Sequence, residues 1–300
     1  MRRCLISVLL AASALLALAG CGSDENARPD IVFVSARDGV YAIYEMNADG
    51  GAQGRLTPGD SDPSTPAGLF FQIDPAWSPN GTKIAFSSRR SGNFDVYVMN
   101  ADGTGTKRLT SARGQETHPT WSSSGRTIAF ERDSDIYVMN ADGSNARRIS
   151  DSQVDESEPA WSPDGAWIAY VRRAPGTSVA ELWIMRPDGS DRKRVVTHGD
   201  RSLNPAWSPG GARLAFVSNA RGPLYDIYTV DIDRARVRRL TASGTSAFEP
   251  AWSPDGSLIA FSQGGSIKTV DDERMTSELT SPDGNDSYPV WNPRPPRSSD

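Results

Sequence analysis

The chain has few of the side chains from which catalytic and metal sites are usually built. Its 300 residues include two cysteines and two histidines. Cys4 and Cys21 both fall in the first 21 residues, so the remainder of the chain folds without a disulfide or a thiolate metal site. His118 and His198 stand far apart, and a Ser-His-Asp arrangement could arise only by accident. No Gly-x-Ser-x-Gly elbow, phosphate-binding glycine loop or His-Glu-x-x-His pair occurs. Nothing in this inventory calls for a cofactor. Basic residues are outnumbered, 32 against 37 acidic, and the net charge of -5 becomes more negative if Arg2 and Arg3 leave with an export leader. That balance argues against a nucleic-acid partner.

What the chain has in quantity is one phrase: DPAWSPNGTKIAF at 74–86, EPAWSPDGAWIAY at 158–170, NPAWSPGGARLAF at 204–216 and EPAWSPDGSLIAF at 249–261. A degenerate copy, HPTWSSSGRTIAF, occupies 118–130, and a truncated YPVWNP occupies 288–293. The marker tryptophans are Trp77, Trp121, Trp161, Trp207, Trp252 and Trp291, spaced 39 to 46 residues apart. That period suits a four-stranded propeller blade.

Each unit offers four short extended runs, in the first complete copy Pro75–Ser78, Lys83–Ser87, Asp95–Met99 and Lys107–Thr110. Ser-Pro-Asn-Gly or Ser-Pro-Asp-Gly joins the first two, and Asn-Ala-Asp-Gly joins the last two, both turn formers. In the run Asp135–Asn140, Ile136 and Val138 face one way and Tyr137 and Met139 the other, so the sheet is apolar on both sides and must be sandwiched. Radial closure achieves this. Segment 31–57 supplies three strands without a tryptophan strand, and the end of the chain supplies only that strand. The expectation is an all-β, six-bladed β-propeller of four-stranded antiparallel blades over 31–293, closed by pairing the strand around Trp291 with 31–57.

The phrase PxWSPDGxxIAF…DIYVMNxDGxxxxRLT resembles the propeller repeat of the TolB-like family of envelope proteins. It differs from the WD-repeat signature, because the tryptophan precedes the turn and no Gly-His pair opens the unit. The resemblance covers nearly the whole chain after the leader and implies that the tryptophan strand is innermost. Members carry an α/β domain ahead of the propeller, where this chain has only Gly22 to Asp30.

Residues 1–20 read as a signal peptide: Arg2 and Arg3, then an apolar run from Leu5 to Leu18. Leu18 to Cys21 resembles a lipobox, which implies lipidation at Cys21; the other reading is an ordinary cleavage site with a chance cysteine. Residues 21–30 would be the lipidated cysteine and a short tether, the nine residues Gly22 to Asp30 reaching at most about 30 Å at ~3.4 Å per residue. Residues 294–300 form a Pro-rich tail. The protein is expected to be exported, membrane-anchored, facing the periplasm or the outer cell surface, and monomeric.

With the tryptophan strand innermost, the residue before its proline marks one channel mouth: Asp74, His118, Glu158, Asn204, Glu249 and Tyr288. Converging carboxylates and a histidine would attract a cation or a partner's basic group. The plainer reading is an extended, solvated residue before proline. On the binding reading, alanine at Asp74, Glu158 and Glu249 should spare stability. Three variable loops, 58–73, 172–181 and 218–225, should flank the same mouth, and Leu69, Phe70 and Phe71 in the first are either a partner contact or a plug over the ring. Basic pairs recur at the last strand, Lys107-Arg108, Arg147-Arg148, Lys193-Arg194 and Arg238-Arg239, where charge blocks edge pairing or, less simply, forms a belt for anionic glycans or lipids.

The expected function is a non-catalytic envelope binding or scaffold protein that presents one rim to an envelope protein or cell-wall component. The alternative is an enzyme: a polysaccharide-active propeller with a metal held by His118, Glu158 and Glu249, or a peptidase-associated propeller.

Overall fold

The computed structural model describes residues 29–57, 71–150, 153–196 and 201–294. Residues 1–20, Cys21, Leu69, Phe70 and His198 lie outside them. Within them the chain forms six four-stranded antiparallel sheets and, beyond one 3-10 turn at Pro282–Gly284, no helix. No helix among the described residues is long and apolar enough to cross a membrane.

Blade 1 comprises Gln72–Trp77, Lys83–Ser88, Asp95–Asn100 and Lys107–Arg108; blade 2, Glu116–Trp121, Thr127–Arg132, Asp135–Asn140 and Arg147–Arg148. Blade 3 comprises Asp155–Trp161, Ile168–Arg173, Glu181–Met185 and Lys193–Arg194; blade 4, Ser202–Trp207, Arg213–Ser218, Asp226–Asp231 and Val237–Arg239. Blade 5 comprises Ala247–Trp252, Leu258–Gln263, Ser266–Asp271 and Thr276–Glu278. Blade 6 is composite: Ser287–Trp291 pairs with Ile31–Ser35, followed by Ala42–Met46 and Gly54–Arg55. Each tryptophan strand touches those of its neighbours, and Ser287–Trp291 touches Gln72–Trp77 to complete the circle.

In blade 1 the second and third strands each run one residue past the expected end, and the two larger differences have a hydrogen-bonding reason. The inner strand of blade 1 starts at Gln72 rather than Pro75, because Gln72 and Ile73 pair with Ser88 and Ser87 before the register shifts and resumes at Ala76. The outer strand stops at Arg108 rather than Thr110, because the Thr110 side chain takes over: its Oγ1 accepts the Val96 N–H at 2.9 Å. Thr57, Thr241 and Thr280 do the same for Ile43, Ile227 and Ile267. The first turn is as the sequence requires, with Gly81 at φ +63° donating its N–H to Ser78 O.

The core lies between blades. Phe33, Phe86, Phe130, Tyr170, Phe216 and Phe261 occupy the same position of the second strand in all six blades, and none is more than 1% exposed. Ile136 and Val138 pack toward Ile168 and Tyr170 of blade 3, whereas Met139 packs toward Val96 and Val98 of blade 1. Each blade is thus buried on both faces, at about 1.5–3 kcal/mol per large apolar side chain. Blades also approach closely at the second turn, where a Cβ on Gly103 would stand 2.2 Å from the Leu56 carbonyl oxygen of the preceding blade.

The basic pairs of the outer strands are engaged. Their second members form ion pairs with the first residue of the third strand: Arg108 with Asp95 at 2.8 Å, Arg148 with Asp135 at 3.1 Å, Arg194 with Glu181 at 2.9 Å and Arg239 with Asp226 at 2.6 Å. Two first members reach the following blade, Lys107 donating to the Asp142 carbonyl at 3.3 Å and Arg238 to that of Asp272, whereas Lys193 pairs with Asp191 of its own blade at 3.1 Å.

Candidate functional site

Six residues from six blades surround one central cavity. Asp74, His118, Glu158, Asn204, Glu249 and Tyr288 all line it, together with their prolines. None has the extended conformation expected before proline: their φ values run from +49° to +53°. This left-handed conformation is costly for residues with a Cβ. It coincides with the register shift between the first two strands of blades 1 to 5. Proline carries no N–H, so the ladder loses no donor where it is interrupted. Repetition in all six blades, whatever the side chain, marks the bulge as architecture.

In four of the six blades the N–H of the ring residue bonds a carboxylate of the preceding blade. His118 N–H donates to Asp74 Oδ2 at 3.1 Å, Asn204 N–H to Glu158 Oε2 at 2.5 Å, and Tyr288 N–H to Glu249 Oε2 at 3.3 Å. Histidine at 118 offers no carboxylate to blade 3, and Glu131, from the second strand of blade 2, supplies it: Glu158 N–H donates to Glu131 Oε2 at 3.2 Å. Ser87 and Ser262, at the position equivalent to Glu131, donate their hydroxyls to Asp74 and Glu249. The carboxylates therefore latch one blade to the next. Removing Asp74, Glu158 or Glu249 would leave the N–H of His118, Asn204 or Tyr288 without this acceptor, so these carboxylates have a structural role beside any part in binding.

Charge within the ring is unevenly distributed. Burial disfavours charge on His118, but Asp74, the Glu131 hydrogen bond at 3.1 Å and nearby Glu158 outweigh it and push the imidazole pKa up to about 10. Burial works against Glu131 as well, yet the His118 contact and the Glu158 N–H hold its carboxyl below the usual range. Glu158 and Glu249 are held above it, chiefly by burial, with neighbouring carboxylates adding to the shift. The side chains of Asp74 and Glu131 thus both face the His118 ring, while Glu249 accepts hydrogen bonds from Ser262 and Tyr288. Among the described residues no group of three or more His, Cys, Asp or Glu side chains is arranged to hold a metal ion. That includes His118, Glu158 and Glu249.

The cavity has a volume of about 520 Å³. It runs from the acidic ring toward the Ser-Pro turns, where Trp161, Trp207, Trp252 and Trp291 and the turn residues Pro163, Pro209 and Pro254 form its walls. Trp207 and Trp252 are fixed by indole N–H bonds to the Ala160 and Ala206 carbonyls of the preceding blade, at 3.0 and 3.2 Å. Trp161 departs from this: its indole bonds Gly165 O in its own turn, while its backbone N–H donates to Thr120 Oγ1, where other blades have alanine or valine. The first and last described segments meet at this face, with Asn292 N–H donating to Asp30 O at 2.7 Å.

Loops 172–181 and 218–225 do not flank this opening. Arg173 pairs with Asp155 and Ser218 with Ser202, so these loops lie at the start of the inner strands, opposite the Ser-Pro turns. Phe71 also lies there, stacked on Tyr41 of blade 6 at 5.1 Å between ring centroids. That contact joins blades 6 and 1. Glu131 is the ring residue missed from sequence; its signal is a carboxylate replacing Ser or Val in the second strand of the unit whose own ring residue is a histidine.

The family profile described as the TolB beta propeller domain matches residues 69–180 and 134–269. A TolB homolog of Chlorobium luteolum is 32% identical over 135 residues, covering 34% of this chain and 31% of that protein. The Tol-Pal system protein TolB of Geobacter sulfurreducens is 36% identical over 86 residues, covering 29% of this chain and 18% of that one. The matches therefore span about a third or less of these relatives' length. The crystal structure of TolB from Acinetobacter baumannii superposes with a TM-score of 0.75 at 21% identity, over 89% of this chain and 67% of that one. At that identity the likeness speaks for the fold alone, but with the profile spanning both internal matches the chain belongs to the TolB beta-propeller family.

Proposed function

We propose that the protein is a non-catalytic binding module of the cell envelope, which takes a cationic segment of an envelope protein into its central cavity. The observation that carries this is the pairing of an acidic floor, Asp74, Glu158 and Glu249, with walls of tryptophan and proline in one cavity. Carboxylates at the floor of a largely apolar cavity select a basic side chain by charge, while the tryptophans add cation-π and stacking contact. Relatives named as Tol-Pal system proteins support an envelope protein as the partner. Export with lipidation at Cys21 completes the reading. The N-terminal segment enters at the cavity face beside Asn292, so a tether of nine residues would hold that face within about 30 Å of the membrane carrying the anchor.

The test is cross-linking in intact cells, comparing the parent with Glu158→Gln/Glu249→Gln, which keeps oxygen acceptors for Asn204 and Tyr288 but removes both charges. Capture of an envelope protein by the parent, lost in the double variant at an unchanged melting temperature, is expected. Equal capture by both would place the contact elsewhere. Labelling with a fatty-acid analogue, present in the parent and absent from Cys21→Ser, checks the anchor.

A further inference from the structure

We infer that the cation taken by the cavity is the primary ammonium of a lysine side chain, and that it docks off-centre, on blades 4 to 6, with Glu249 as its charge partner. This deepens the reading of the cavity as a site for a cationic segment and rests on it.

Three features of the ring place the cation there. The cavity, first, is lopsided. Of the six repeat tryptophans only Trp161, Trp207, Trp252 and Trp291 line it, so its aromatic wall belongs to blades 3 to 6, while blades 1 and 2 contribute the residues around Asp74 and His118 but no tryptophan. The open acceptors, second, are on the same side. Glu158 Oε2 and Glu249 Oε2 are taken by the Asn204 and Tyr288 N–H groups, whereas Glu158 Oε1, Asn204 Oδ1, Glu249 Oε1 and Tyr288 Oη accept no hydrogen bond and are not sealed off. Asp74 Oδ1 also accepts none, but it is sealed, with His118 Nε2 3.7 Å away. The ring's own cation, third, stands opposite. His118 lies in blade 2 between Asp74 and Glu131, one blade from Glu158 and three from Glu249. An incoming cation is repelled by the imidazolium, most strongly near Glu158 and least near Glu249.

The open oxygens also choose between lysine and arginine. A guanidinium pairs best with both oxygens of one carboxylate, through its planar fork of donors. Each ring glutamate has one oxygen committed to the next blade, so that pairing would require a latch to break. An ammonium carries three donors that diverge from one atom and is satisfied by single oxygens from several groups. Asn204 Oδ1, Glu249 Oε1 and Tyr288 Oη, from three successive blades around one cavity, form such a set. The methylene stem of the lysine then lies along Trp252 and Trp291, toward the Ser-Pro turns. The tryptophans would accept either cation, and the floor decides.

The experiment titrates three blocked peptides, acetyl-Gly-Lys-Gly-amide and its arginine and norleucine counterparts, into the protein labelled with 5-fluorotryptophan and read by fluorine NMR. The lysine peptide should move the Trp252 and Trp291 resonances and leave that of Trp183, on the third strand of blade 3, in place. It should bind at least about five-fold more tightly than the arginine peptide, and the norleucine peptide should shift nothing at the same concentrations. Glu249→Gln should weaken the lysine peptide at least about ten-fold, and Glu158→Gln by less than about three-fold. The ratio of lysine to arginine is measured on the unaltered protein, so it does not depend on how the variants fold. Arginine bound as tightly as lysine, or equal losses in the two glutamine variants, would overturn the proposal and leave the cavity as a cation site. Binding of neither charged peptide would overturn it together with the reading on which it rests.

Discussion

Asn204 donates twice to one oxygen of Glu158, through its backbone N–H at 2.5 Å and its Nδ2 at 3.2 Å, so a side chain of blade 3 holds the bulge of blade 4. The same side chain borders the cavity. Assembly of the ring and presentation of charge to a guest therefore depend on one group, and the two roles must be separated by choice of substitution.

Glu158→Ala should cost about 1–3 kcal/mol, the penalty for a buried donor left unsatisfied. Glu158→Gln should cost less, because an amide oxygen can still accept the Asn204 N–H and burial already disfavours the carboxylate's charge. Urea unfolding of both variants checks the order; equal losses would mean that the latch contributes nothing.

His118 makes stability depend on pH. Its folded pKa of about 10 exceeds its ordinary value, so the folded state binds the proton more tightly than the unfolded chain does. The contribution is complete below about pH 6.5 and is lost as pH rises toward 10. His118→Gln should be less stable than the parent at pH 6 and should show a flatter stability profile from pH 6.5 to 10, by at least about 1 kcal/mol. Glu131 acts in a different window: its lowered pKa places its loss on the acid side, below the usual carboxylate range.

The composite blade is secured by more than its strand ladder. Arg37 pairs at 3.0 Å with Asp286, whose side chain is fully buried. The Ala36 N–H and Ser35 hydroxyl both donate to the Gly284 carbonyl. Arg37→Ala should lower stability by about 3 kcal/mol, because it leaves a buried carboxylate without its cation. Deleting residues 287–300 should abolish cooperative unfolding in calorimetry, since it uncovers Ile31 and Phe33; a truncated chain that melts like the parent would sink the six-blade closure.

Two glycines separate backbone strain from blade spacing. Gly92 and Gly103 both have positive φ, but a Cβ on Gly92 meets nothing within 4 Å, whereas on Gly103 it meets a backbone carbonyl of the neighbouring blade. Gly92→Ala should cost about 1 kcal/mol. Gly103→Ala should cost at least twice that in chemical denaturation, because the obstruction is main chain and blades 6 and 1 must separate to relieve it.

The sequence by itself determined the blade count, the strand content of each blade, the turns and the closure through Trp291. These arise from local pattern: alternation of apolar residues, Pro-Asp-Gly turn chemistry, and a unit missing its first strand at one end and supplying only that strand at the other. It also brought Asp74, His118, Glu158, Asn204, Glu249 and Tyr288 to one place, because a repeat closed in a circle sends equivalent positions to equivalent radii. Tertiary structure alone decided what those residues do. The positive φ before each proline, the N–H of one blade bonded to a carboxylate of the last, and Glu131 replacing the carboxylate that His118 lacks all arise between units about forty residues apart. Such contacts depend on how two repeats are rotated against each other, and no period within a single repeat records that. The direction in which the cavity opens was decided the same way, by which end of the inner strands carries the tryptophans and which carries the variable loops.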